Sequence, residues 1–323
     1  GEHAAEIRYR LGEAHHTRGD CTGALAAIGE PKGTDSWSLW ARFIVLQCQA
    51  DAARAAWRAG EPDGGGHYLT SLQAAREIAA AATDVKDDAL VGLAAKACLL
   101  AGLLAEASPE ARPDDVVEFT RDFERRFPNS ADLAGDAIAL RVVARARLGE
   151  TAEARADIDR LSSLEGDRVA RRQQLRHVGQ ELMAEVERGD PTRRHAVLSV
   201  AERVYTLLVD GADGDGASTT TDLAVLGQIA LSLGHLDGAR RTYARLLELD
   251  PDSLEAQRGM ALTVEAEGKE QGALGHWRDL TERTAPGDTL WYEATIHVAR
   301  MEEQLGQPER ACETLRKATA TAG

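Results

Sequence analysis

The stretch LSLGHLDGARRTYARLLELDPDS, residues 231–253, holds no obvious catalytic side chain, yet its composition is tightly patterned. Gly234 is followed by Ala239, then by Tyr243, Leu246 and Pro251. Glycine lacks a Cβ, so it can take the left-handed conformation that ends a helix. A short polar turn, His235-Leu236-Asp237, then starts a second helix. A small Ala on that helix lets the first one approach closely, and an apolar residue four positions on lies on the same face. Pro251 stops the second helix from running on, and Asp252 and Ser253 can cap the next. The stretch predicts a helix–turn–helix hairpin.

The same hairpin recurs. Gly234, Ala239, Tyr243 and Leu246 reappear 34 residues later as Gly268, Ala273, Trp277 and Leu280, with Pro286 one residue away from the position matching Pro251. A further copy has Gly306, Ala311 and Leu315 after a four-residue insertion. Gly19, Ala24 and Ile28 keep the spacing near the N-terminus, and Gly149, Ala154 and Ile158 keep it in the middle. Self-similarity at a fixed period marks a chain built from stacked units, each burying its apolar face on its neighbours.

These residues resemble the tetratricopeptide repeat, a helix–turn–helix unit of about 34 residues. The best copy is 220–253, where Leu226-Gly227 stands at the family's Leu-Gly pair and Ala239, Tyr243 and Pro251 match the later signature positions. Leu223 and Ala230 stand where the family prefers Trp and Tyr. Leu11-Gly12 repeats the pair in the first copy, and the copy from 254 carries Met260-Ala261 instead. The resemblance covers 220–320, 1–30 and 114–163, and fades over 36–110 and 166–210. It implies an all-α fold, a right-handed α-solenoid of antiparallel helix pairs. The expected organisation is divergent repeats over 1–210, a flexible loop over 211–219 and three well-matched repeats over 220–323.

Helical spacing persists where the signature fades. Residues 36–60 and 67–82 read as an antiparallel pair around the loop GEPDGGG (60–66). DDVVEFTRDFERRFPNS (114–130) reads as one second helix ending at Pro128, and the segments either side of Pro191 as another hairpin. ALVGLAAKACLLAGLLAEA (89–107) is marginal in length for a membrane span, but Lys96 and its Ala content favour a helix buried in a stack.

Composition narrows the function. Hydrophobic residues make up 43% and aromatics only 4%, so the core must rest on Ala, Leu and Val, which suits close-packed helices. A net charge of −15 opposes nucleic-acid binding, which draws its affinity from Lys and Arg on phosphates. The basic spots Arg125-Arg126 and RVARRQQLR (168–176) read as solvated helix faces. Cys21, Cys48, Cys98 and Cys312 form no CxxC pair and read as small buried thiols, with no metal site expected. The chain starts at Gly1 without Met and reads as trimmed; its compartment, cytoplasmic or bacterial periplasmic, stays open.

No spaced constellation for chemistry emerges. Phosphate-loop, zinc-helix and nucleophile-elbow motifs are lacking. DGADGDGAST (210–219) has Ala217 where a calcium loop needs an oxygen ligand, and His15-His16 reads as a surface pair. The expectation is therefore no enzyme and no cofactor.

In the family the first helices line a concave face that receives extended peptides or helices. Carried onto this chain, those positions are Thr221, Gln228 and Leu231, then Glu255, Arg258, Leu262 and Glu265, then Glu293, Ile296, Arg300 and Glu303. Tyr9, Glu13 and His16 hold the equivalent N-terminal positions. Members that grip a peptide's C-terminal carboxylate use Lys and Asn; here Ala224, Gln228 and Glu255 stand instead. The candidate partner-binding residues are Gln228, Glu255, Arg258, Glu265, Glu293, Arg300 and Glu303. Their acid-rich lining suits a basic or amphipathic protein or peptide partner, and reversing Arg258 and Arg300 is expected to alter its recovery. The reading is a non-catalytic interaction scaffold of bacterial type. FERRFPNSADLAGDA (123–137) resembles junctions in repeat proteins of bacterial envelope assembly. The alternatives are a sensor or regulatory arm of a larger signalling or transcription protein, or a repeat arm beside an enzyme such as a glycosyltransferase.

Overall fold

The computed structural model describes residues 2–61, 64–83, 87–211 and 216–321, and among them there is no strand. The helices run α1 (Glu2–His16), α2 (Cys21–Ile28), α3 (Ser36–Arg58), α4 (His67–Ala81), α5 (Asp88–Glu106) and α6 (Pro113–Thr120). After them come α7 (Phe123–Arg126), α8 (Ala131–Leu148), α9 (Thr151–Ser163), α10 (Arg168–Arg188) and α11 (Pro191–Asp210). The last six are α12 (Gly216–Ser232), α13 (Leu236–Leu249), α14 (Leu254–Ala266), α15 (Glu270–Arg283), α16 (Thr289–Gln304) and α17 (Pro308–Thr321). The chain is all-α and divides into two compact units, Gly1–Leu182 and Met183–Gly323, the division falling within α10. Residues 212–215 of the expected 211–219 loop lie outside the described residues, and α12 begins at Gly216.

Local chemistry explains where the helices start and stop. Asp20, Asp35, Asp87, Asp190 and Ser253 each sit at an N-cap and accept a backbone N–H from their helix's first turn. The five repeat glycines, Gly19, Gly149, Gly234, Gly268 and Gly306, all have φ between 70° and 79°, the left-handed region that a Cβ disfavours. Beyond each, the predicted small residue is buried: Ala24, Ala154, Ala239 and Ala273 are 0% exposed and Ala311 8%. Ile28, Ile158, Tyr243 and Trp277 are buried one turn further on, whereas Leu315, with no following helix against it among the described residues, is 43% exposed.

In the first unit consecutive helices pair as α1 with α2, α3 with α4, α5 with α6 and α8 with α9, and each pair packs on the next. Helix α5 is long and apolar enough to cross a membrane, but most of it is buried inside the unit, against α3, α4, α6 and α8. Segment 114–130 departs from the expected single helix. It breaks at Arg121-Asp122, where Asp122 takes φ 49°, and continues as the short α7. Two interactions favour the break. The Arg141 guanidinium, 1% exposed, donates to the Thr120 carbonyl freed at the end of α6, and the kink drives Phe123 and Phe127 into the core as an edge-on pair.

The cysteines also depart from expectation. Cys21 of α2 and Cys48 of α3 form a disulfide with Cα atoms 5.4 Å apart. Only Cys98 stays a buried thiol, its ionisation opposed by burial, while Cys312 is exposed. The pairing was hidden because the two residues lie 27 positions apart and meet only when α3 folds back on the first hairpin.

Candidate partner-binding face

In the second unit α12, α14 and α16 are the first helices of successive hairpins, completed by α13, α15 and α17. Their spacing is set by a residue of the intervening second helix. Tyr243 on α13, 4% exposed, wedges between Gly227 of α12 and Gly259 of α14. A Cβ on Gly227 would lie 2.6 Å from the ring, and one on Gly259 only 2.2 Å. Gly12 meets Ile28 in the same manner, with a Cβ at 2.5 Å, and these pairs share the same sixteen-residue offset as Gly227 and Tyr243. The Leu-Gly pair thus exists to admit a large side chain from the second helix. Burial pushes the Tyr243 hydroxyl up to about 12, with the Glu255 carboxylate adding to the shift.

Along α14 and α16 the side chains bridge the two helices in a constant register. Arg258 Nη2 donates to Glu293 Oε1 at 2.6 Å, and its Nε donates to both carboxylate oxygens at 2.9 Å. Two turns further on, Arg300 Nη1 donates to Glu265 Oε1 at 3.2 Å. Both pairs link residues 35 apart, so α14 and α16 run side by side in parallel. Glu265 Oε2 also accepts from Trp277 Nε1 at 2.8 Å and contacts His297 Nδ1 at 2.7 Å, and the Trp277 and His297 rings stack 4.1 Å apart. The Arg258 hydrogen bonds hold the Glu293 carboxyl below the usual carboxylate range, and Glu293 raises Arg258 in turn. Glu302, 3% exposed, brackets α15 and α17 by accepting from Arg278 and Thr314.

Four of the seven candidate residues are thereby engaged with one another: Arg258 with Glu293, and Glu265 with Arg300. Gln228, Glu255 and Glu303 are exposed, and neither Glu255 nor Glu303 has an ion pair among the described residues. Ile296 on α16 is 52% exposed. Tyr9 is only 7% exposed, packed against Trp37 and Trp40 with its hydroxyl donating to Glu13, so it belongs to the core and not to a contact face. Because Arg258 secures α14 to α16, reversing its charge would disturb the packing as well as any contact, and the cleaner probes are Glu255 and Glu303. Sequence reasoning missed His297 and Trp277 as partners of Glu265. The signal was available in His297 standing one turn beyond Glu293 on α16.

The family model described as tetratricopeptide repeat matches residues 223–253, spanning the Gly227–Tyr243 contact and its capping glycine. Over those residues the chain matches a tetratricopeptide repeat. No curated protein matches it. Among solved structures, the chain is similar to a tetratricopeptide repeat protein from Parabacteroides merdae ATCC 43184, at 12% identity, 86% of this chain, 94% of that chain and a TM-score of 0.38. It is similar to the P58(IPK) TPR domain at 14% identity, 93% and 88% coverage, and a TM-score of 0.32. A third likeness is the human IFIT1 dimer with m7Gppp-AAAA, at 12% identity, 98% and 68% coverage, and a TM-score of 0.32.

Proposed function

We propose that the protein is a non-catalytic interaction scaffold whose second unit receives a basic, amphipathic segment of a protein partner along α12, α14 and α16. The carrying observation is the division of labour on α14 and α16. The Arg258–Glu293 and Glu265–Arg300 pairs neutralise one another, leaving the exposed carboxylates of Glu255 on α14 and Glu303 on α16 without a salt bridge among the described residues, with the exposed Ile296 also on α16. Exposed acids without a salt bridge, together with an exposed apolar side chain, complement a helix or strand bearing Lys or Arg and one apolar side chain. Tetratricopeptide repeats as a class mediate contacts between proteins, and the reading follows that class.

The test is a charge reversal that leaves the four residues of the inter-helix pairs in place. Glu255→Lys with Glu303→Lys should keep the helical circular dichroism of the wild type and lower recovery of the bound partner at least about tenfold, a loss equivalent to about 1.4 kcal/mol. Wild-type binding should weaken as salt is raised, because exposed charges are screened beyond about 8–10 Å. Unchanged recovery by the double variant would remove this face as the binding site.

A further inference from the structure

The N-terminal hairpin carries a cluster that the scaffold reading does not use. His16 ends α1, Cys21 begins α2, and Cys48 lies within α3. The ligand atoms of these three side chains all lie within 4.8 Å of one another. Cys21 and Cys48 are joined as the disulfide described above. The His16 imidazole has no hydrogen-bond partner among the described residues, although its neighbour His15 is held at 2.8 Å by Asp20. Cys48 is 2% exposed, whereas His16 and Cys21 are half-buried, so the cluster is backed by the core and open on one side.

We propose that this cluster is a redox-gated site for a d10 cation such as Zn²⁺, closed by the disulfide in the oxidised protein and opened by reduction. A dithiol reductant supplies two electrons and two protons and becomes a disulfide itself, while the Cys21–Cys48 bond breaks to two thiols. Zn²⁺ then displaces both thiol protons to solvent and takes two thiolate sulfurs and the neutral His16 nitrogen. Two thiolates and one imidazole, with water in the fourth place, are a donor set that tetrahedral zinc accepts.

The geometry needs little change. Zn–S bonds of about 2.3 Å in a tetrahedron place two sulfurs about 3.8 Å apart. Side-chain rotation about Cα atoms 5.4 Å apart can supply that separation without moving the helices. Three features hold the ligands in place. The turn between His16 and Cys21 is fixed by Gly19 at φ 76° and by Asp20, whose carboxylate caps Gly23 at 2.7 Å. Cys21 is the first residue of α2, directly after that turn and its Asp20 cap. Cys48 is anchored in a core of Tyr9, Ala24, Ile28, Ala41 and Ile44, whose apolar packing excludes competing water.

The experiment uses the full chain bearing Cys312→Ser, which removes the exposed thiol, and compares the oxidised protein with the reduced, desalted protein under anaerobic conditions. Zn²⁺ is titrated against a chromophoric chelator, and Co²⁺ serves as the spectroscopic probe. The proposal predicts one Zn²⁺ per reduced chain and none per oxidised chain. It also predicts a thiolate-to-Co²⁺ charge-transfer band with the intense visible bands of a tetrahedral site. His16→Ala, at a half-buried helix end, should retain the fold by circular dichroism, bind Zn²⁺ at least about tenfold more weakly and alter the Co²⁺ visible bands. Cys48→Ala should abolish stoichiometric binding. Should Cys48→Ala fail to fold, the wild-type Co²⁺ spectrum and the His16→Ala titration still decide the matter. Absence of stoichiometric Zn²⁺ in the reduced wild type, equal binding by the oxidised protein, or an unchanged affinity in His16→Ala would each overturn the proposal.

Discussion

At the scale of single residues, the glycines within the helices divide into those that admit a neighbour and those that do not. Gly259 faces the Tyr243 ring at a distance no real Cβ could share, whereas Gly275 on α15 has nothing within 4 Å of its virtual Cβ. Ala is favoured over Gly in a helix by about 1 kcal/mol, so the two substitutions should move stability in opposite directions. Gly275→Ala is expected to raise the unfolding free energy by about 0.5–1 kcal/mol. Gly259→Ala should lower it by about 1 kcal/mol or more, because overpacking outweighs the propensity gain. Urea denaturation of both variants reads the signs directly. Ala239→Leu, at a position 0% exposed, should cost about 1–3 kcal/mol in the same assay. The repeat glycines and alanines were legible in the sequence because their spacing is regular. Gly259 was not, because the aligned signature falls on Met260-Ala261, and the need for space comes from a ring sixteen residues upstream.

At the scale of helices, charge fixes geometry that the apolar pattern leaves open. Asp157 of α9, 0% exposed, accepts from Arg141 and Arg145 of α8, and Arg141 also satisfies the end of α6. Asp157→Ala should cost about 3–5 kcal/mol, because it leaves the buried Arg141 guanidinium with only Glu124, at 3.5 Å, as a carboxylate partner. Arg141→Met with Asp157→Leu should recover much of that loss in chemical denaturation, since no uncompensated charge then stays buried. The α6–α7 break escaped sequence reading for this reason: helical periodicity runs straight through Arg121-Asp122, and the competing hydrogen bond comes from a side chain on another helix. On α14 and α16 the Arg258–Glu293 pair adds a pH dependence. Glu293 titrates below its unfolded value, so its stabilisation is complete above about pH 4.3 and fades as pH falls through the lower folded value. The stability gap between wild type and Glu293→Gln should therefore narrow as denaturation is repeated from about pH 6 down to about pH 3. A gap that holds constant would mean the pair contributes nothing through its charge.

For the whole molecule, repetition gives two units built from the same hairpin, and the binding claim belongs to the second. The all-α class and the hairpin units were legible because each level of pattern agrees: capping residues, small–large spacing and apolar period. The candidate face was legible in outline, since first-helix positions follow from the repeat register. Which of its charges are available was not, because Arg258, Glu265, Glu293 and Arg300 find their counterparts 35 residues away on the next repeat. With a net charge of −15, long-range attraction to a basic partner adds to whatever the face contributes, so location must be tested apart from affinity. A photo-crosslinking amino acid placed at Ile296, which is exposed on α16, can be compared with one at Arg241, which is exposed on α13. The account predicts a covalent adduct with the protein partner from position 296, mapping by mass to a Lys- or Arg-rich segment, and little or none from position 241. Equal adducts from both positions, or an adduct from 241 alone, would contradict it.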